Sequence, residues 1–251
     1  MEWIDTCCRG GSARNHRSGI PTTDQLRTEL SRLKINQALV HSAWSDHIAP
    51  EYANEQLFAD LADHEELLPV PEILPEGGER FLDQPGSAIK DLVHRGAAAG
   101  IARCGQQGFL LTNWCCGEML DAMQHFLLPL MVWLDDIGAE HLRGLLHDFP
   151  KLPVILQGVP REGYHRLAYP LMNQYAQLHV VCAVPHSVHR GVEYLVRRFG
   201  SEQLLFGTNL PVSDGGASIA GIAYAAISTS DREAIVSGNV KRLLTEVRRD
   251  G

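Results

Sequence analysis

Nothing in the 251 residues approaches a run of about 20 apolar side chains, the length that spans a bilayer, so no membrane helix is expected. Positive charge is also short. Lys and Arg number 22 against 30 Asp and Glu, a net charge of −8, and a nucleic-acid partner would need clustered cations. Six cysteines are too few for a disulfide scaffold, and Cys7–Cys8 and Cys115–Cys116 are adjacent pairs, poorly placed to bridge each other. None has the two-residue gap of a zinc ribbon or a thioredoxin-type motif, so the thiols are read as reduced. The N-terminal region lacks a basic segment followed by a long apolar one, and the expected location is cytoplasmic. No composition shift marks a linker and no short repeat is visible, so 1–251 is read as one domain.

What is there is core-forming material, 45% hydrophobic and 21% charged. It alternates. Strands are expected at Trp3–Cys7, Gln37–His41, Leu67–Ile73, Ala98–Cys104, Pro129–Leu134, Pro153–Leu156, Leu178–Ala183 and Gln203–Gly207. Helical patterns separate them, among them Asp24–Leu33 behind a Thr22 or Thr23 cap, Met119–Phe126 and Val192–Phe199. The strands are short and apolar on both faces, as fully buried parallel strands are. A (β/α)₈ TIM barrel and an open doubly wound sheet both fit that alternation. The open sheet usually announces a glycine-rich turn after its first strand. Arg9-Gly10-Gly11-Ser12 has neither the G-x-G-x-x-G spacing nor a helix directly behind it. Eight units in this length favour the barrel, whose chemistry gathers at the C-terminal ends of the strands.

Strand alternation would send Asp5, Cys7 and Arg9 to one mouth, with Asn209 beside them after the last strand. Arg9 and Arg103 both end strands, and with His41 they can hold a carboxylate or phosphate bidentately; the bland alternative is an outward salt bridge. Trp114, in the loop after strand four with Cys115, Cys116 and Glu118, can wall a pocket or pack on its own loop. His186 and His189 after strand seven can serve as a base or a metal pair, although loop histidines are commonly just solvated. Asp135 and Asp136 are paired acids near the mouth that could do general acid/base work, but a solvated helix start explains them more simply. Cys7, Cys104 and Cys182 near strand ends are read as small apolar fillers before nucleophiles.

The opening Ile4-Asp5-Thr6-Cys7-Cys8-Arg9-Gly10-Gly11 resembles the first strand of the amidohydrolase superfamily, its amidohydrolase-2 group of metal-dependent hydrolases and decarboxylases in particular. Further echoes are TTDQLRTELSRLKINQALVHS, FPKLPVIL, RRFGSEQLLFGTNLP and DREAIVSGNVKRLL, the last with Asn239 ahead of an amphipathic tail. The resemblance implies the same barrel, frequent dimers and a divalent-metal site. The family pattern puts His-x-His on strand one, where Cys7 and Arg9 stand. Its later histidines fall on Trp133 and on Gln157 or Gly158, and its aspartate on Asn209. Arg9 stays protonated and cannot ligate, so the expected cofactor is none, with zinc disfavoured. The expectation is a hydrolase or lyase for a small carboxylated or lactone substrate. The alternative is a non-catalytic barrel that binds an acidic ligand or a protein.

Overall fold

An apolar strand with no polar face must be covered on both sides, and here each strand is followed by a helix that covers one of them. The computed structural model describes residues 1–11, 21–75, 85–159, 165–183 and 190–249. The chain runs β1 (Ile4–Gly10), α1 (Thr23–Leu33), β2 (Gln37–Ser42), a 3-10 turn (Trp44–Asp46), α2 (Pro50–Leu61) and β3 (Leu67–Val70). It continues as α3 (Pro85–His94), β4 (Gly100–Ile101), α4 (Cys104–Gln107), α5 (Asn113–Phe126), β5 (Leu130–Trp133), α6 (Leu134–Ile137) and α7 (Ala139–Asp148). Then come β6 (Val154–Gln157), α8 (His165–Gln174), β7 (Leu178–Cys182), α9 (Gly191–Phe199) and β8 (Leu204–Phe206). The chain closes with α10 (Gly216–Ala223), α11 (Thr229–Glu233), a π turn (Ala234–Gly238) and α12 (Asn239–Glu246). Thr22 starts α1 with a capping box, its hydroxyl accepting from Gln25 N–H while the Gln25 side chain accepts from Thr22 N–H.

All pairings are parallel, in the orders β1-β2-β3 and β4-β5-β6-β7-β8. Two seams join these sheets into a ring. At one, Arg9 N–H donates to Leu210 O (2.9 Å) and Thr6 Oγ1 to Phe206 O (2.7 Å). At the other, Ile101 N–H donates to Pro71 O (2.9 Å) and Ile73 N–H to Ile101 O (3.0 Å). The ring is a barrel. Leu39, Val70, Ile101, Met131, Ile155, Val181 and Leu205 fill its interior. Their strand neighbours Val40, Val132, Leu156, Val180 and Phe206 pack outward under the helices, as the two-residue period of a strand requires. Each such side chain contributes about 1.5–3 kcal/mol on burial. Helix α12 adds Val240 and Leu243 to the inner layer beside Ile4, and buried Asn239 fixes its start by donating to Ser201 O (2.7 Å) and Leu204 O (2.9 Å).

The fourth strand shortens from Ala98–Cys104 to Gly100–Ile101, which leaves Arg103 and Cys104 beyond its end, and three further local expectations change. The third strand ends at Val70 instead of Ile73, because Pro69 and Pro71 have no N–H to give, although their carbonyls accept across the seam from Ala98 and Ile101. Trp114 is not in a loop: it occupies the first turn of α5, which kinks at Cys116. The third concerns the mouth. β1 shifts register between Asp5 and Cys8, so Asp5 pairs Ala38 while Cys8 pairs Val40 and Arg9 pairs His41. Three steps on β1 oppose two on β2, a bulge. Asp5 therefore falls in phase with Ala38 and Cys8 of the outer layer, off the face that simple alternation gave it. No helix among the described residues is long and apolar enough to cross a membrane.

Candidate functional site at the barrel mouth

The bulge leaves a buried carboxylate at the β1/β8 junction. Asp5 is fully buried; its Oδ1 accepts from Cys7 N–H (2.9 Å) and Thr208 N–H (3.0 Å), and its Oδ2 from the Thr208 hydroxyl. Burial raises its pKa, and these hydrogen bonds offset part of the rise. Cys7 points inward, donates its S–H to Gln157 Oε1 and approaches Asn209 Oδ1 at 3.8 Å. Burial, then the charge of Asp5, pushes that thiol well up, so it stays protonated. Gln157 is spent on this floor: its amide donates to Thr6 O (3.1 Å) and Met131 Sδ (3.4 Å).

Above the floor lies a cavity of about 440 Å³, lined by Arg9, His41, Arg103, Trp133, Asp135, Asp136 and Asn209 among others. Arg9 comes from β1, His41 beside it from β2, and Arg103 from the turn that opens α4. Both guanidiniums pair with Asp46, one carboxylate oxygen each. Burial works against the charge on Asp46, but the hydrogen bonds and charges of Arg103 and Arg9 outweigh it and hold its pKa down. Behind Arg103 stands buried Glu72, with Oε2 3.7 Å from Nη1 and Oε1 accepting from Gln107 (3.0 Å). Burial raises the Glu72 pKa. Burial, then the charges of Arg9 and Arg103, lowers His41 to about 3, so this imidazole is neutral. Trp133 lies over Gly158, whose φ of 63° and lack of a Cβ let the ring come close.

The structure thus brings Arg9, His41, Arg103, Trp133 and Asn209 to one cavity, with Cys7 and Gln157 beneath it and Asp5 sealed off. Trp114 is 79% exposed on α5 and is not among the cavity residues. His186 lies outside the described residues, as does His189. Cys182 packs in the outer layer, its thiol pushed up to about 12 by burial, and Cys104 beside Asp136 is likewise pushed up to about 12, by burial first. Sequence reasoning missed Asp46, Glu72 and Thr208. Asp46 and Glu72 each stand just beyond a strand end, but nothing local in the sequence ties them to the arginines they meet.

The family model described as Amidohydrolase matches residues 14–245. The chain belongs to the amidohydrolase family. No curated protein matches it. Among solved structures this amidohydrolase is similar to an uncharacterised TIM-barrel protein of Bordetella bronchiseptica, at 14% identity over 98% of this chain and 99% of that one, TM-score 0.76. It is also similar to 5-carboxyvanillate decarboxylase of Sphingomonas paucimobilis, at 12% identity over 97% and 99%, TM-score 0.75. A third is a point mutant of 5-carboxyvanillate decarboxylase from Novosphingobium aromaticivorans, at 10% identity over 97% of each chain, TM-score 0.75. That structure holds manganese and 3-methoxy-4-hydroxy-5-nitrobenzoic acid.

The last finding corrects the expectation of no cofactor, since a barrel of this shape carries a divalent metal. A divalent ion needs several anionic or imidazole donors, and this amidohydrolase's strand ends offer few. Asp5 is committed to three hydrogen bonds, Cys7 keeps its proton, and Gln157 and Asn209 offer neutral amide oxygens. Among the described residues no three His, Cys, Asp or Glu side chains converge to hold a metal. The described strand-end donors do not supply the charged ligand set that a divalent cation needs.

Proposed function

We propose that this mouth takes a small molecule by its carboxylate, held by Arg9 and Arg103, and that the barrel is an enzyme of hydrolase or lyase type acting on that acid. The observation that carries the reading is the placing of two guanidiniums and a neutral imidazole on one cavity where barrel chemistry gathers. Each guanidinium has five N–H donors and gives only one nitrogen to Asp46, so both keep donors for a second carboxylate. Trp133 supplies a flat apolar wall for a ring or a conjugated chain. His41 is a weak base because it is buried, and the charges of Arg9 and Arg103 add to that. A bound anion offsets part of that charge but leaves the burial in place, so the imidazole stays neutral and offers the substrate a hydrogen-bonding nitrogen. Asn209 offers an amide at the same rim, while Asp5 and Cys7 act from below by fixing β1 against β8.

One observation favours a second reading, binding without turnover: Cys7 and Cys104 are both held as thiols, so neither supplies a nucleophile at neutral pH. The first test is binding. Calorimetric titration with benzoate and with a pyrone carboxylate should show saturable heat. Arg9→Ala should weaken it by about 1.5–3 kcal/mol, the worth of a hydrogen bond to a charged group, or roughly tenfold or more in Kd. Unchanged affinity in that variant removes the reading. Release of carbon dioxide or ring opening, followed on the acids that bind, separates enzyme from binder.

A further inference from the structure

The cavity has a second wall, and its charge is unspent. Asp46 and Glu72, the carboxylates that face Arg9 and Arg103, do not line the cavity; they hold the guanidiniums from behind. Two cations and two carboxyl groups therefore balance on that side. Just past the end of β5, Asp135 and Asp136 line the same cavity. Asp136 has internal work: its Oδ1 accepts the Gly105 N–H (3.0 Å) at the start of α4, and its Oδ2 lies 3.4 Å from the Cys104 thiol. Asp135 has no such work. It is exposed, it lines the cavity, and no cation or hydrogen-bond donor reaches its carboxylate among the described residues. An acid facing a cavity without a counter-ion selects against a second anion there and for a cation.

We infer that the mouth takes a zwitterion: a small acid whose carboxylate sits on Arg9 and Arg103 and whose far end carries a protonated amine directed at Asp135. This rests on the carboxylate reading of the same mouth and adds the chemistry of the opposite end. Trp133, at the head of the same β5 turn, lies alongside and suits a flat spacer between the two charged groups. His41 contributes no charge to the balance.

The test is a matched set of three para-substituted benzoates titrated calorimetrically at pH 7 into the full chain: 4-(aminomethyl)benzoate, 4-methylbenzoate and terephthalate. The expected order is aminomethyl tightest, by roughly three- to fivefold over methyl, the size of a solvent-screened ion pair, with terephthalate weakest. In Asp135→Asn the preference for aminomethyl over methyl falls to about one. In the unchanged chain, raising sodium chloride from 50 to 500 mM shrinks the same preference, since screening acts on the exposed pair, and this measurement needs no variant. If 4-methylbenzoate binds as tightly as the amine, or if Asp135→Asn keeps the preference, the zwitterion inference is overturned and the carboxylate reading stands. If none of the three binds, both fall together.

Discussion

Asp5 offers the sharpest test of what the β1 bulge does. Its carboxylate accepts two backbone N–H groups, from Cys7 and Thr208, and the Thr208 hydroxyl, all in a site with no solvent exposure. Asp5→Ala strands the two amides, and a buried donor left unpaired costs about 1–3 kcal/mol. The hydroxyl can turn elsewhere, so the expected loss is about 3–5 kcal/mol. For a chain of this size that corresponds to a fall in Tm of about 6–20 °C. Asp5→Asn behaves differently. Its amide oxygen can take both backbone N–H groups, its NH₂ can donate to the Thr208 oxygen, and the expected change is under about 1 kcal/mol. The pair also separates in pH. Because burial raises the folded pKa of Asp5, the folded chain keeps a proton that the unfolded chain releases. That group's contribution to stability is greatest below the ordinary carboxylate value and declines as pH rises through the folded pKa. Subtracting the urea-denaturation curve of Asp5→Asn from that of the parent at a series of pH values should therefore give a difference that moves in favour of Asn with rising pH. A parent-minus-Ala difference below 1 kcal/mol, or a parent-minus-Asn difference that is flat with pH, would refute the account of Asp5 as a buried junction.

Two further outcomes follow from the same geometry. His41, lowered to about 3, is neutral across the ordinary range, so benzoate affinity should show no step between pH 5 and 8; a transition near the unperturbed histidine value of about 6.5 would show that the imidazole is charged there. Gly207 has room for no more than hydrogen, because a Cβ would run into Val181 Cγ1 and lie 2.9 Å from Cys7 Cβ. Gly207→Ala should cost about 1–3 kcal/mol by overpacking, read as a lower denaturation midpoint, and a neutral result would mean that β8 can shift freely against β1.

The barrel was legible because its signal is repeated. Runs such as LMVW and LHVVC have no polar face, and only a parallel strand covered on both sides accommodates that pattern many times over. Resemblance of the RRFGSEQLLFGTNLP and DREAIVSGNVKRLL segments to amidohydrolases pointed to the same ring, and the family match over 14–245 agrees with it. The mouth was legible only by half. Arg9 and His41 could be assigned to strand ends from the sequence; Arg103 was expected at one too but opens α4 past the end of β4, and the structure brings all three to one cavity. Asp5 could not be placed correctly, because one extra residue in β1 reverses its phase and no local motif in IDTCCRG announces a bulge. Asp46 went unseen for a related reason: its importance lies in meeting two residues 37 and 57 positions away, and such pairing has no periodicity to detect. The expectation of no cofactor rested on single strand-end residues, and it is corrected by the manganese held in a solved structure of similar shape.

The Arg9–Asp46–Arg103 bridge has one more property. Arg9 and Asp46 belong to the three-stranded arc, Arg103 to the five-stranded one, so the bridge is a clasp thrown across the place where Pro71 and Ile73 meet Ile101. Whatever occupies these guanidiniums therefore also tightens or loosens a joint in the hoop. Slow amide exchange at Ile73 and Ile101 becomes a gauge of occupancy, and the stave that grips the guest is the one that keeps the cask shut.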